Sequence, residues 1–98
     1  MEGLVCCFAE DALVNDQLSE YSGKREIVDW AMRDIIAENL TLFVLREVTS
    51  YNNSNLTVEV DGDFNKRGLP EPLVLNFYVT IFDTKIVQLI MLRNQNYL

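Results

Sequence analysis

The chain has 98 residues, and this length predicts one domain, residues 1–98, with a single core. Of these residues 49% are hydrophobic and 23% charged, which is typical of a globular protein. Eight Lys and Arg residues against fifteen Asp and Glu residues give a net charge of −7, which makes nucleic acids and anionic membranes poor partners. The sequence contains no histidine, which excludes imidazole bases and most zinc sites, and we expect neither a metal nor a cofactor.

The hydrophobic segments are short. None approaches the ~20 apolar residues that a membrane-spanning helix needs. The first residues also lack the basic region and the small-residue cleavage site of a signal peptide. We therefore expect a soluble, cytoplasmic protein.

In the first 22 residues the sequence pattern predicts a helix, then an extended segment, then a loop. Apolar residues at helical spacing predict a short helix over Glu2–Ala9, on which Cys6 and Cys7 would be small buried side chains. Ala12–Val14 is predicted to be extended, and the polar stretch Asn15–Ser22 to be a loop.

A longer amphipathic pattern follows and predicts a helix from about Lys24 to Glu38. Ser22 is placed to cap its first N–H groups, and Glu26 lies where the helix dipole favours an acid. The predicted buried face consists of Ile27, Trp30, Ala31 and Ile35.

From Leu40 onward the apolar period changes to two, which is typical of strands. Four strands are predicted, at about Thr41–Thr49, Leu56–Val60, Leu73–Phe82 and Ile86–Arg93. One face of this sheet is uniformly apolar. The sequence therefore predicts an α+β fold in which a cone-like curved antiparallel sheet of about four strands wraps around a long N-terminal helix.

Several segments together resemble the nuclear transport factor 2-like superfamily, in particular its SnoaL-like branch, which includes ketosteroid isomerases and polyketide cyclases. The resemblance covers nearly the whole chain and implies an apolar pocket within the cone and a homodimer formed through the back of the sheet. It starts at the family's second helix, so we expect the first helix to be lacking. The segments that carry it are Cys7–Asp16, Tyr21–Ile27, Trp30, Leu56–Phe64, Leu73–Phe82 and Lys85–Leu89.

Asp16 occupies the position that resembles the catalytic base of the ketosteroid isomerases. A carboxylate beside an apolar pocket has a raised pKa, which suits a general base. The resemblance supplies no partner for it, since the family's second Asp aligns here with Phe77. Tyr21 is the only nearby hydroxyl of the right type. The alternative is a loop carboxylate that hydrogen-bonds to the backbone.

The predicted pocket residues are Trp30, Phe77, Leu89 and Met91, together with Tyr21, although the first four also fit a plain core. The opposite face of the sheet carries Tyr78, Gln88 and Ile90, which are the candidate dimer interface.

Three functions remain open after these predictions. The first is a pocket domain that binds a small apolar or amphipathic ligand. The second is an isomerase or cyclase acting beside a carbonyl, with Asp16 as its general base. The third is a non-catalytic dimerisation or association module. Because a fold does not select a reaction, the choice depends on the site.

Overall fold

The computed structural model describes residues 7–94, which form one curved, unclosed sheet and one helix. The α+β class is confirmed, but the sheet has six strands where four were predicted. In chain order the elements are strands β1 (Phe8–Asp16) and β2 (Ser19–Ser22), helix α1 (Gly23–Ala31), a π-helical turn (Met32–Ile36), and strands β3 (Thr41–Ser50), β4 (Asn53–Asp61), β5 (Leu73–Phe82) and β6 (Lys85–Arg93).

The sheet is mixed rather than purely antiparallel. Its strand order is β2-β1-β6-β5-β4-β3, and every neighbouring pair is antiparallel except β1 and β6, which run parallel. Strand β6 therefore lies between the first and fifth strands and joins the N-terminal hairpin to the rest of the sheet. The prediction of an antiparallel sheet was wrong at this one pairing.

The segment that begins at Phe8 is a strand, so the helix predicted for Glu2–Ala9 is wrong at its C-terminal end, and residues 2–6 lie outside the described residues. Phe8 pairs with Ile86 and is buried in the core, because tertiary packing outweighs the local helical spacing. Cys7 is exposed in a turn rather than buried, and Cys6 lies outside the described part of the chain.

A hairpin replaces the loop that was predicted for Asn15–Ser22. Gln17 and Leu18 have positive φ angles of 52° and 76°, and the Leu18 N–H donates to Asn15 Oδ1 at 2.9 Å. Positive φ at both turn residues is typical of the tight turns that join antiparallel strands. Strand β2 follows, and its polar, mostly exposed residues at the sheet edge lack the apolar alternation that identifies inner strands.

Helix α1 is nine residues long and continues into the π-helical turn, so one long regular helix over Lys24–Glu38 is not found. In the turn the Ala37 N–H donates to the Met32 carbonyl at 3.0 Å, the i to i+5 bond of a π-helix. The Ser22 side chain makes no capping bond. Instead, the Ser22 N–H donates to Glu26 Oε1 at 2.8 Å. In the described residues, no helix is long and apolar enough to cross a membrane.

The core lies between α1 and the β1–β6 half of the sheet. Helix α1 contacts β1 and β2, and its buried side chains interleave with those of β1 and β6. A bulge in the β5–β6 hairpin turns Ile86 onto this inner face. The buried cluster consists of Phe8, Ala12, Val14, Ile27, Trp30, Ala31, Leu89 and Met91.

Candidate functional site: an apolar cavity with Asp16 in its wall

A partly open cavity of about 430 Å³ lies beside this core, where the inner face of β3–β5 extends beyond the reach of α1. Most of the wall is apolar and comes from the sheet, the end of α1, the π-helical turn and the loop between β4 and β5. The lining residues are Phe8, Asp16, Gln17, Trp30, Asp34, Ile35, Glu38, Leu40, Leu42, Val60, Phe64, Leu69, Leu73, Leu75, Phe77, Leu89, Met91 and Arg93.

The structure brings four of the five predicted pocket residues together in this wall. Trp30 comes from α1, Phe77 from β5, and Leu89 and Met91 from β6. Trp30, Leu89 and Met91 also belong to the buried core, so each of these side chains both packs in the core and lines the cavity. Tyr21, the fifth, does not line the cavity; its ring packs beside Trp30, with the ring centroids 6.2 Å apart.

Asp16 is the last residue of β1, and the parallel register places it beside Met91 in the cavity wall. It is half-buried and not in a loop. Trp30 Nε1 donates a hydrogen bond to Asp16 Oδ2 at 3.0 Å. This bond fixes the carboxylate against the ring that forms the adjacent wall.

The pKa of Asp16 is raised above its ordinary value of 3.8, chiefly because burial disfavours the charged carboxylate. The Trp30 hydrogen bond opposes this rise by stabilising the anion. The negative charge of Asp34 raises the pKa further, and the positive charge of Arg33 lowers it. The site thus holds a carboxyl group that takes up a proton more readily than a solvated aspartate does.

Arg33, the cation whose charge reaches Asp16, is engaged on the other side of the π-helical turn. Its guanidinium donates from Nε and Nη2 to the two Asp34 oxygens, at 3.0 and 3.1 Å, and from Nη2 to the Tyr21 hydroxyl at 2.9 Å. Arg33 therefore does not line the cavity, and it uses the Tyr21 hydroxyl as an acceptor.

The loop between β4 and β5 supplies wall residues that the sequence analysis missed, including Phe64 and Leu69. It is joined to the residues that follow the π-helical turn, because the Asp63 N–H donates to the Glu38 carbonyl at 2.6 Å. Gly62 makes this approach possible, since a Cβ there would lie 2.8 Å from the same carbonyl oxygen. In the sequence, the glycine of Asp61-Gly62-Asp63 is the feature that could have indicated this close backbone contact.

A second cavity of about 420 Å³ is also lined by this loop and has a more polar wall, with Lys66 and Glu71. It shares Leu42, Val60, Phe64, Leu69 and Leu73 with the first cavity. We take the first cavity as the candidate site because it combines an apolar wall with a held carboxylate.

The three residues of the candidate dimer interface share the outer face of the sheet. Tyr78 pairs with Ile90 across β5 and β6, and Gln88 pairs with Thr80 one step along. Tyr78 is 38% exposed, whereas Gln88 and Ile90 are half-buried. None of the three lines the apolar cavity.

No protein-family profile matches the sequence, and no curated protein matches it either. Solved structures do match its fold. One is a candidate polyketide cyclase from Sinorhizobium meliloti, 26% identical, with a TM-score of 0.80 over 92% of this chain and 79% of that one.

Two further structures match with lower sequence identity. A Catenulispora acidiphila protein with a ketosteroid isomerase-like fold, solved in complex with trimethylamine, is 15% identical, with a TM-score of 0.78 over 96% of this chain and 75% of that one. A nuclear transport factor 2-like protein of unknown function from Cytophaga hutchinsonii is 10% identical, with a TM-score of 0.74 over 97% and 76% of the two chains. The resemblance inferred from the sequence is confirmed: this chain has the ketosteroid isomerase-like, nuclear transport factor 2-like fold.

Proposed function

We propose that this chain is a pocket domain that binds a small, largely apolar or amphipathic molecule in the cavity beside Asp16. The observation that carries the proposal is the cavity wall itself, which is mostly apolar and in which Trp30 holds the half-buried carboxylate of Asp16 by a hydrogen bond. Ligand sites in proteins commonly combine an apolar wall with a few placed polar groups that orient the ligand. A volume of about 430 Å³ is within the range of such sites.

The fold adds support but does not name a ligand. A structural neighbour was solved with trimethylamine, so small organic molecules with an amine are reasonable first probes for this chain. The same scaffold serves proteins of different function, and the choice of ligand depends on the side chains in this wall.

A second candidate function is proton transfer beside a carbonyl, with Asp16 as general base. It is favoured by the raised pKa of Asp16 in the cavity wall. An enolate formed there also needs a hydrogen-bond donor. The Tyr21 hydroxyl, which was the candidate, accepts a bond from Arg33 outside the cavity. Asp16→Asn should abolish turnover of an activated ketone if this function is correct, and unchanged turnover would refute it.

A third candidate is homodimerisation through the outer face of the sheet. The adjacent Tyr78 and Ile90 place an apolar contact on this face, which carries both apolar and polar residues. This proposal is compatible with ligand binding, since the cavity opens on the inner side.

Ligand binding can be tested with a solvatochromic apolar dye such as Nile red, whose emission rises when it leaves water. Leu75→Trp places a large ring in the cavity, since Leu75 lines the wall, and should reduce dye binding at least about tenfold, or about 1.4 kcal/mol. Tyr78→Trp is the matched control, because it adds the same residue on the outer face of β5. Equal binding by both variants and the unmodified chain would refute the cavity as the binding site.

A further inference from the structure

The charges in the cavity wall indicate which end group a ligand would carry there. Three of the lining residues are acidic, Asp16, Asp34 and Glu38, whereas only Arg93 is basic. Asp34 is already paired with Arg33, but Asp16 forms no ion pair with any lysine or arginine in residues 7–94. Within residues 7–94, the Asp16 carboxylate in the wall therefore has no cation in ion-pair contact.

One oxygen of this carboxylate is available to a ligand. Oδ2 accepts the bond from Trp30, and within residues 7–94 no donor is found for Oδ1. Asp16 is half-buried, so part of the water that would stabilise its anion is excluded. A cation that reaches Oδ1 would replace that lost solvation with a charge-assisted hydrogen bond, which is stronger than a bond between neutral groups.

The aromatic side chains of the wall favour the same class of ligand. Trp30 holds the carboxylate at its ring edge, and Phe64 and Phe77 also line the cavity. A cation near an aromatic face is attracted by the negative charge of the ring surface. The whole chain, with a net charge of −7, also raises the local concentration of cations and lowers that of anions.

A metal ion is a poorer candidate for this position than an organic cation. Within the described part of the chain, no three Cys, Asp or Glu side chains converge to hold a metal ion. The wall is instead mostly apolar, and Asp16 is the carboxylate that a neighbouring wall residue, Trp30, holds in place. That arrangement suits a molecule with an apolar body and one charged end.

We propose that the cavity selects an apolar molecule that carries one protonated amine, with the ammonium group donating a hydrogen bond to Asp16 Oδ1 and the apolar body against the β3–β5 wall. This inference rests on the proposed function, since it names the ligand class of the same cavity. It also assigns Asp16 as a residue that determines specificity, whether or not a reaction follows binding.

The test compares three probes that share one eight-carbon chain and differ only in the end group: octylamine, octanol and octanoate. Trp30 is the single tryptophan and lines the cavity, so its fluorescence reports occupancy directly, with calorimetry as the second measurement. At neutral pH the amine should bind at least about tenfold more tightly than the alcohol, a difference of about 1.4 kcal/mol, and octanoate more weakly than both.

Asp16→Asn provides the decisive variant, because the amide oxygen can still accept the Trp30 bond while the charge is removed. It should reduce the preference for the amine to within about threefold of the alcohol, or about 0.65 kcal/mol. Asp83→Asn is the matched control. It removes the same charge from the exposed β5–β6 turn and should leave the preference unchanged.

The outcomes separate the two proposals. If all three probes bind the unmodified chain with equal affinity, the cavity binds ligands but the amine preference is wrong. Equal loss of preference in Asp16→Asn and Asp83→Asn would also overturn the inference, since only the general charge would then matter. If no probe binds, both this inference and the proposed function fail.

Discussion

The hydrogen bond between Trp30 and Asp16 makes a quantitative prediction about stability. Trp30→Phe removes the Nε1–H donor and one of the two fused rings, while an aromatic ring stays in the core. Trp30 is 2% exposed, so about 40 Å² of lost apolar burial at ~25 cal/mol per Å² costs about 1 kcal/mol. A hydrogen bond to a charged group contributes about 1.5–3 kcal/mol, and the lower end applies to this part-buried pair. The expected loss is therefore about 2–3 kcal/mol.

Part of this loss should depend on Asp16. With Asp16→Asn in place, the same change removes a bond between neutral groups, which contributes about 0.5–1.5 kcal/mol. Trp30→Phe should therefore cost about 1 kcal/mol less in that background than in the unmodified chain. The assay is urea unfolding followed by far-UV circular dichroism, since the variant lacks the only tryptophan, on all four proteins of the double-mutant cycle.

The pH dependence gives an independent check. The folded-state pKa of Asp16 is raised, so its contribution to stability is greatest below the ordinary value of 3.8 and is lost as pH rises through the folded pKa. Removing the Trp30 bond raises that pKa further. The cost of Trp30→Phe should then increase as pH rises from below 3.8 through the folded pKa of Asp16. A cost that is the same in both backgrounds and at every pH would refute the coupling between Trp30 and Asp16.

Four further outcomes are expected. Asp16→Asn should raise the melting temperature at neutral pH, because it removes a partly desolvated charge, and the gain should shrink as pH falls toward 3.8; a variant that melts lower at neutral pH would contradict this. Ile27→Ala, at a fully buried position of α1, should cost about 2–4 kcal/mol in urea unfolding, and a cost below about 1 kcal/mol would show that the helix is loosely packed. Gly62→Ala should cost about 1–3 kcal/mol, since its Cβ would lie 2.8 Å from both the Glu38 carbonyl oxygen and Leu40 Cδ2; unchanged stability would mean that the loop moves freely. If the outer face forms a homodimer, Tyr78→Lys should yield monomers in analytical ultracentrifugation, and a persisting dimer would place the interface elsewhere.

The sequence predicted the strands with regular apolar alternation and failed where neighbours, rather than local pattern, determine the structure. Strand β5 was predicted with its observed bounds, because apolar and polar residues alternate along most of its length. Phe8 has helical spacing in the sequence, yet it forms a parallel pair with Ile86, which is 78 residues away and invisible to a local pattern. Polar β2 was missed because an edge strand needs no buried face.

In the candidate site, too, the apolar residues predicted correctly lie on a regular helix or strand period, and those in loops were not predicted. Trp30, Phe77, Leu89 and Met91 were predicted from helix and strand periods, and all four lie in the cavity wall. Tyr21 was expected in the pocket because it is the only hydroxyl of the right type near Asp16 in the sequence. As part of β2 it lies beside the helix and accepts a bond from Arg33. The loop side chains of the wall have no periodic pattern, so their positions depend on the contact at Gly62.

The position of β6 between β1 and β5 has a consequence for how the chain is made. A ribosome releases β6 last among the described strands, yet this strand joins the β2-β1 hairpin to the β5-β4-β3 sheet. Until residues 85–93 emerge, no hydrogen-bonded ladder connects those two parts, and two future inner strand edges stay open to other chains. Pairings between distant segments also slow folding. Nascent chains stalled shortly before Lys85 are therefore the forms of this protein most exposed to aggregation, and the ones for which a holding chaperone matters most.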